Sequence, residues 1–469
     1  MTTLNPAVAS QAHHGRQAHR THPAGRASAW SRYRGRLAVF YLGCLLAATS
    51  YGLTLLLPSL VKAAGGSPAQ AGLIYWCGAF GAGGALALSG RLAQRTGAGW
   101  GAAAGSVLYA LAAAILASGG ALSGIAYAAG VLLGAGWALF FTCAPIIASA
   151  MPGPAEASSR FLVLAGFNAL GIGAGPITGQ LLAAHGASYQ GIFMLAALLS
   201  LGSGALFCLT AKLIRTPATR AGHAAPGVSG PARLVLTSPA RPFLLMAALG
   251  ACVFTTMTTY QATLAATQGL DPSLFYASYT MGVILPRFTV TGLLARSSPA
   301  RATTALLAGM CVSLGGFLLA GHNPVLYAVS SALLGVTYGL AYPLIQARAA
   351  DSTPGGLRHW ALWYFSLAYF AGLYGFPVIA GTVIILGGYQ ALMACLLVIA
   401  AIELAVSIKT RHAPAPKPRN GAAPCRGDEV WPPPQSGLSP KAQEETMREL
   451  TADMFLPPAS GAVNGPAQA

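Results

Sequence analysis

Hydrophobic residues fall along this chain in long blocks broken by short polar turns, with no sustained alternation between apolar and polar positions. A helix needs about 20 mostly apolar residues to cross hydrocarbon. The blocks are too long and too unalternating for the strands of a transmembrane barrel. Twelve of them are read as spans: 37–61, 71–90, 101–118, 121–148, 161–184, 190–211, 242–267, 274–295, 303–321, 325–346, 360–387 and 389–408. The first is too long for a signal-peptide core. Connections such as Gly119-Gly120 and Gly387-Gly388 are short, whereas 212–241 is long and rich in Pro, Gly, Arg and Ser.

The fifth block holds a pattern that returns. Gly171, Gly173, Gly175, Pro176 and Gly179 form a Gly-x-Gly-x-Gly-Pro-x-x-Gly core. In water that composition breaks a helix. In a bilayer, small residues let helices approach closely, and neighbours re-satisfy the backbone group that proline frees. The text GLYGFPVIAG begins at Gly372, so Pro377 follows Pro176 by 201 residues. Gly134 and Trp137 match Gly335 and Tyr338 at the same spacing, and Gly90-x-Leu92 parallels Gly292-x-Leu294. The expected fold is therefore an all-α membrane protein of 12 transmembrane helices in two pseudo-symmetric six-helix bundles. Its expected domains are a disordered N-tail (1–36), a first bundle (37–211), a linker (212–241), a second bundle (242–408) and a disordered C-tail (409–469). Two parallel repeats related by an axis along the membrane normal build alternating-access carriers with a site between the halves.

Composition supports the membrane reading and narrows the rest. Only 8% of the 469 residues are charged, and 55% are hydrophobic. Soluble domains carry roughly 25% charged residues. The net charge of +17 does not indicate nucleic acid, because the basic residues are scattered through short turns. With the N-terminus inside, the cytoplasmic segments hold 25 of the 27 Lys and Arg residues; Lys62 is on the other side and Arg287 lies within a span. That bias places both termini in the cytoplasm, and the expected location is a bacterial inner membrane. The eight cysteines show no paired spacing and read as small core hydrophobes. His13, His14, His19 and His22 lie in the polar N-tail and are read as part of a disordered segment, with no metal site expected.

After the second span the chain reads Gly90-Arg91-Leu92-Ala93-Gln94-Arg95-Thr96-Gly97. This resembles the gate-loop signature Gly-x-Leu-Ala-Asp-Arg-x-Gly of the major facilitator superfamily, with Gln94 in place of the acid. Gly175-Pro176-Ile177-Thr178-Gly179-Gln180 resembles the Gly-Pro-x-x-Gly-Gly motif of that superfamily's drug and metabolite antiporters. The chain is also similar to bacterial exporters that carry an arginine in the eighth helix, as Arg287 precedes Gly292. The resemblance covers roughly 37–408 and implies gating roles for Gly90, Arg91, Arg95, Gly97, Gly171, Gly175, Pro176, Gly179 and Pro377. It also implies a carrier that works without a cofactor.

Polar groups in mid-membrane are costly, so those present face a cavity or a partner. In span seven, Thr256, Tyr260, Thr263 and Thr267 share one helical face, with Gln261 beside them. The alternative for the threonines is a bond back to their own helix carbonyls. Tyr51, Asn168, Tyr338 and Tyr342 complete the expected substrate-binding set with Arg287. Arg287 lies nine residues before Arg296, about 13 Å deep at helical rise. It either ties helix ends together or binds an anionic substrate. The N-terminal half has no membrane-embedded carboxylate, and Glu403, six residues before Lys409, is read as a snorkelled or paired structural acid. No nucleotide loop or nucleophile–base pair points to an enzyme. The expected function is a monomeric carrier of a small organic solute, with export favoured over import. An importer or uniporter, and a non-transporting sensor on the same fold, are the competing readings.

Overall fold

The computed structural model describes residues 23–151, 157–214, 232–289, 297–353 and 357–411. The start of the expected N-tail, most of the 212–241 linker, the stretch with Gly292 and Leu294, and the C-tail beyond 411 lie outside the described residues. The helices are α1 (Pro23–Thr54), α2 (Leu57–Ala63), α3 (Pro68–Thr96), α4 (Ala98–Ala117), α5 (Ile125–Ala150), α6 (Ala157–Ala184) and α7 (Tyr189–Leu213). After them come α8 (Ala232–Leu236), α9 (Arg241–Thr259), α10 (Gln261–Thr267), α11 (Pro272–Thr289), α12 (Pro299–Ala320), α13 (Pro324–Asp351) and α14 (Arg358–Arg411). No strand occurs among the described residues. Nine helical stretches among them are long and apolar enough to cross a membrane. Each of the twelve expected spans falls on helix, with α11 described as far as Thr289.

Local chemistry sets the boundaries. Ser67 and Gln70 form a reciprocal capping box in front of α3, with Pro68 at its first position. Asn323 caps α13 through Val325 and Leu326, again ahead of a proline. Gly388 has φ +72°, which divides α14 into two arms and turns the chain back between the last two spans.

The first and seventh spans are each broken into a long and a seven-residue helix, which the hydrophobic pattern did not reveal. Pro58 has no N–H to offer the Thr54 carbonyl, so the helix cannot continue there. The Tyr75 hydroxyl donates to that carbonyl at 2.7 Å. Tyr276 lies 201 residues later and donates to the Thr258 carbonyl, beside the other break, at 2.8 Å. The repeat is therefore visible in hydrogen bonds as well as in text.

Close helix contacts repeat in the same way. A Cβ on Gly134 would overlap the carbonyl oxygen of Gly78, and one on Gly335 would overlap that of Tyr279. Likewise Gly81 abuts the carbonyl of Val131, and Gly282 that of Ala332. All four numbers in the second copy exceed their counterparts by 201. Glycine is required where backbones meet without room for a methyl group. In the first half α1 packs on α6 and α7, α3 on α5, and α4 on α5 and α7. In the second half α9 packs on α14, α11 on α13, and α12 on α13 and α14. Two pairs make the main contacts between the halves: α3 with α14, and α6 with α11.

Candidate functional site

Tyrosine and phenylalanine rings cluster where the halves meet. Tyr51 on α1 stacks on Trp137 of α5 at 4.0 Å between centroids. On the facing side Phe254 of α9 stacks on Tyr338 at 5.0 Å, and Tyr338 leads to Tyr342 at 6.2 Å. Tyr342 meets Tyr369 on the first arm of α14 at 5.0 Å, and Tyr369 stacks on Phe141 of α5 at 5.9 Å. That last pair carries the ring system from one half to the other. Tyr374, also on this arm, lies 6.5 Å from Tyr75 of α3.

Polar atoms on the helices of this junction are poorly satisfied. Among the described residues, the hydroxyls of Tyr338, Tyr342 and Tyr374, the Thr256 and Thr280 hydroxyls and Asn168 Oδ1 are buried without a hydrogen-bond partner. Buried polar groups are normally paired, so such a concentration marks a place where something else completes the set. The arrangement offers ring faces and hydroxyl groups.

Other residues singled out from the sequence are engaged differently. Gln261 Nε2 donates to the Tyr327 hydroxyl at 2.9 Å, a bond within the second half. Thr263 donates to the Tyr260 carbonyl at 2.8 Å, and Thr258 to that of Phe254 at 2.8 Å, the local bonding that competes with helix in a threonine-rich segment. The expected four-residue face on one continuous helix is interrupted at Tyr260, where α9 gives way to α10. Arg287 lies in α11, and its side chain is outside the described residues.

Tyr260 has a specific place at this break. It is 1% exposed, and its hydroxyl lies 3.1 Å from the carbonyl oxygen of Pro68 and 2.9 Å from that of Pro377. One phenolic proton is thus shared between the start of α3, in the first half, and the proline of α14, in the second. Around it the backbones touch. A Cβ on Gly72 would overlap the Pro377 carbonyl, and one on Gly381 would come 2.5 Å from that of Pro68. Three turns along α3 from Gly72, on the same face, the Cβ direction of Gly83 meets nothing within 4 Å. The α3–α14 seam is thus closed backbone to backbone near the α2–α3 turn, while the same face of α3 meets open space at Gly83. The sequence hint was the Pro176–Pro377 match; the role of Tyr260 as a bridge had no linear signal.

Gly171, Gly175 and Gly179 line one side of α6 and receive α1 and Leu56: Gly171 faces Ala48, Gly175 faces Gly52, and Gly179 faces the Leu56 side chain. Pro176 packs its ring beside Gly52. Gly173 points elsewhere, at Thr280 of α11. The Gly90–Gly97 stretch, expected as a loop, is the end of α3 and its stop. Gly90, Arg91 and Arg95 lie in the last two turns, and Gly97 turns the chain with φ +92°. Arg91, Leu92, Ala93 and Arg95 are good helix formers, which explains the extension. Both arginines are exposed.

A helical membrane protein with two repeated halves and a ring-lined junction is the architecture of a solute transporter. The sequence matches the Major Facilitator Superfamily over residues 39–375, and the chain belongs to that superfamily. No curated protein matches the sequence. Among solved structures, the nucleoside transporter NupG is similar, with a TM-score of 0.63 at 15% identity, covering 80% of this chain and 98% of NupG. A variant of the E. coli fucose:proton symporter FucP gives 0.55 at 18% identity, covering 81% of this chain and 99% of FucP. A POT family transporter in complex with a thioalcohol-conjugated peptide gives 0.62 at 15% identity, covering 80% and 96%. These likenesses establish the fold. The chain is a multi-pass membrane transport protein and not an enzyme.

Proposed function

We propose that this chain is a secondary carrier that moves a small organic solute by alternating access between two halves, 37–211 and 242–408, joined by the 212–241 linker. The observation that carries the reading is the uneven α3 face at this seam, closed around Tyr260 and facing open space at Gly83. A carrier must close one end of its cavity while the other is open. With the termini cytoplasmic in a bacterial inner membrane, as the basic-residue bias favours, the sealed end faces outward. The solute contacts would be Tyr51, Asn168, Thr256, Tyr338 and Tyr342, supplying ring faces and hydrogen bonds; Tyr260 would act as the latch.

Export is the direction favoured by the Gly175–Gly179 motif, and the carrier would act as a monomer in lipid. Arg287 is the residue on which a preference for anionic solutes rests. A thermal-shift screen of the purified chain against organic anions, amino acids, sugars, nucleosides and cationic drugs would identify ligands. Counterflow in proteoliposomes would then test movement. The expected result is a ligand that both raises the unfolding temperature and exchanges across the bilayer, with Arg287→Ala abolishing exchange of an anionic ligand and Arg287→Lys restoring part of it. A ligand that binds but never exchanges would support the sensor reading instead.

A further inference from the structure

The buried face of the second arm of α14 is Leu392, Leu396, Ala400, Glu403 and Ser407, while Ile402 and Ile408 are exposed. Glu403 is thus on the side turned into the protein. It is 1% exposed, so it neither snorkels to the surface nor, among the described residues, forms an ion pair, contrary to both sequence-based expectations. Its carboxyl fills the space that Gly250 of α9 leaves empty: a Cβ there would come within 3.2 and 3.5 Å of the two carboxyl oxygens. Oε2 has no hydrogen-bond partner among the described residues.

Among the described residues, the groups around it are not cations. From α9 the thiol of Cys252 lies close enough to feel its charge, and from α12 that of Cys311 does so; Cys395 on its own arm neighbours Cys252. One turn on, the Ser407 and Thr304 hydroxyls bond across α14 and α12 at 2.9 Å. The basic residues of these elements, Arg241, Arg301, Lys409 and Arg411, are exposed at helix ends. An ionised carboxylate sealed among helices without a counter-charge is strongly disfavoured. The neutral acid avoids that cost and provides an O–H donor.

We propose that Glu403 is a proton-binding site, with α9, α12 and the second arm of α14 closing around the neutral carboxylic acid. Losing the proton places an uncompensated charge in the seam and loosens it. The seam is packed around the uncharged form, so raising the pH works against the folded state. Because α9 ends at Tyr260, the seam and the latch share one helix. The proposal does not depend on which solute is carried, or on whether one is.

The test uses the purified full chain in detergent with dicyclohexylcarbodiimide, an apolar reagent for protonated membrane carboxyls. The carboxyl oxygen bonds to the carbodiimide carbon as its proton passes to nitrogen, and acyl migration gives a stable N-acylurea with no leaving group. Mass spectrometry should find the adduct on Glu403 at neutral pH, fading as the pH is raised. In parallel, the unfolding midpoint of the natural chain should fall toward alkaline pH, and E403Q should lack that fall. No adduct at Glu403 at any pH where the chain stays folded, or midpoints of natural and E403Q chains moving in parallel, would overturn the assignment. If E403Q does not fold, the labelling experiment decides alone.

Discussion

The two seams that join the halves are related by the repeat but built differently. Tyr374 of α14 faces Gly78 of α3, and 201 residues earlier Gly173 of α6 faces Thr280 of α11, next in register. At the α3–α14 seam, however, the approach is backbone to backbone, at Gly72 and at Gly381, and Tyr260 bridges both sides. At the α6–α11 seam Gly173 meets the Thr280 side chain: a Cβ there would overlap Oγ1 and come 2.8 Å from Thr280 Cβ, so turning the hydroxyl away relieves only part of the overlap. A duplicated scaffold has thus acquired one closure of backbone on backbone and one of backbone on side chain. In the proposed carrier the backbone-on-backbone seam would serve as the gate, because close-packed interfaces switch between discrete arrangements and do not deform smoothly.

The largest expected effect is Gly72→Val. Its side chain would collide with the Pro377 backbone, an overpacking cost of about 1–3 kcal/mol charged to the closed state alone. Solute exchange should fall by roughly tenfold or more while the unfolding midpoint changes little. A loss of folding in place of a loss of exchange would show that the seam is permanent structure.

Next come Gly134→Ala and Gly335→Ala, which place a methyl group on equivalent carbonyls in the two halves. Each should destabilise by about 1–3 kcal/mol, and by similar amounts, as read by thermal unfolding. A markedly unequal pair would weaken the duplication argument.

Tyr260→Phe removes one shared hydrogen bond, worth about 1 kcal/mol. The balance of states should move about fivefold toward opening of the sealed end, seen as faster labelling of a cysteine in place of Ala69, which packs beside Gly381 at the seam. Gly173→Ala should cost about 1 kcal/mol, the low end for overpacking, since the atoms it meets belong to the Thr280 side chain and not to a backbone carbonyl. An effect as large as that of Gly72→Val would erase the contrast between the seams.

Much of this was legible in the linear text. Apolar blocks located the helices because hydrocarbon demands length and apolarity together. The Pro176–Pro377 spacing exposed the repeat, and Gly134–Gly335 led to the very carbonyls that these glycines meet. The uses of individual polar side chains were not legible. Gln261 pairs with Tyr327, Tyr75 and Tyr276 donate to carbonyls beside helix breaks, and Glu403 is sealed behind Gly250. Spacing specifies which face of a helix a residue occupies, but the neighbour across that face is set by the packing of distant segments. The break at Tyr260 was missed for the same reason, because its partners lie 192 and 117 residues away.

The central claim is that the sealed end and the end facing open space exchange roles. Paired spin labels in proteoliposomes, one pair at Ala64 and Asn323 and another at Thr96 and Asp351, measure the two ends of the same molecule; all four positions are exposed. Pulsed electron–electron distance measurements with and without transported solute should show the two separations shifting in opposite directions, one lengthening as the other shortens. Distances that stay fixed at both ends, or that lengthen together, would contradict alternating access in this protein.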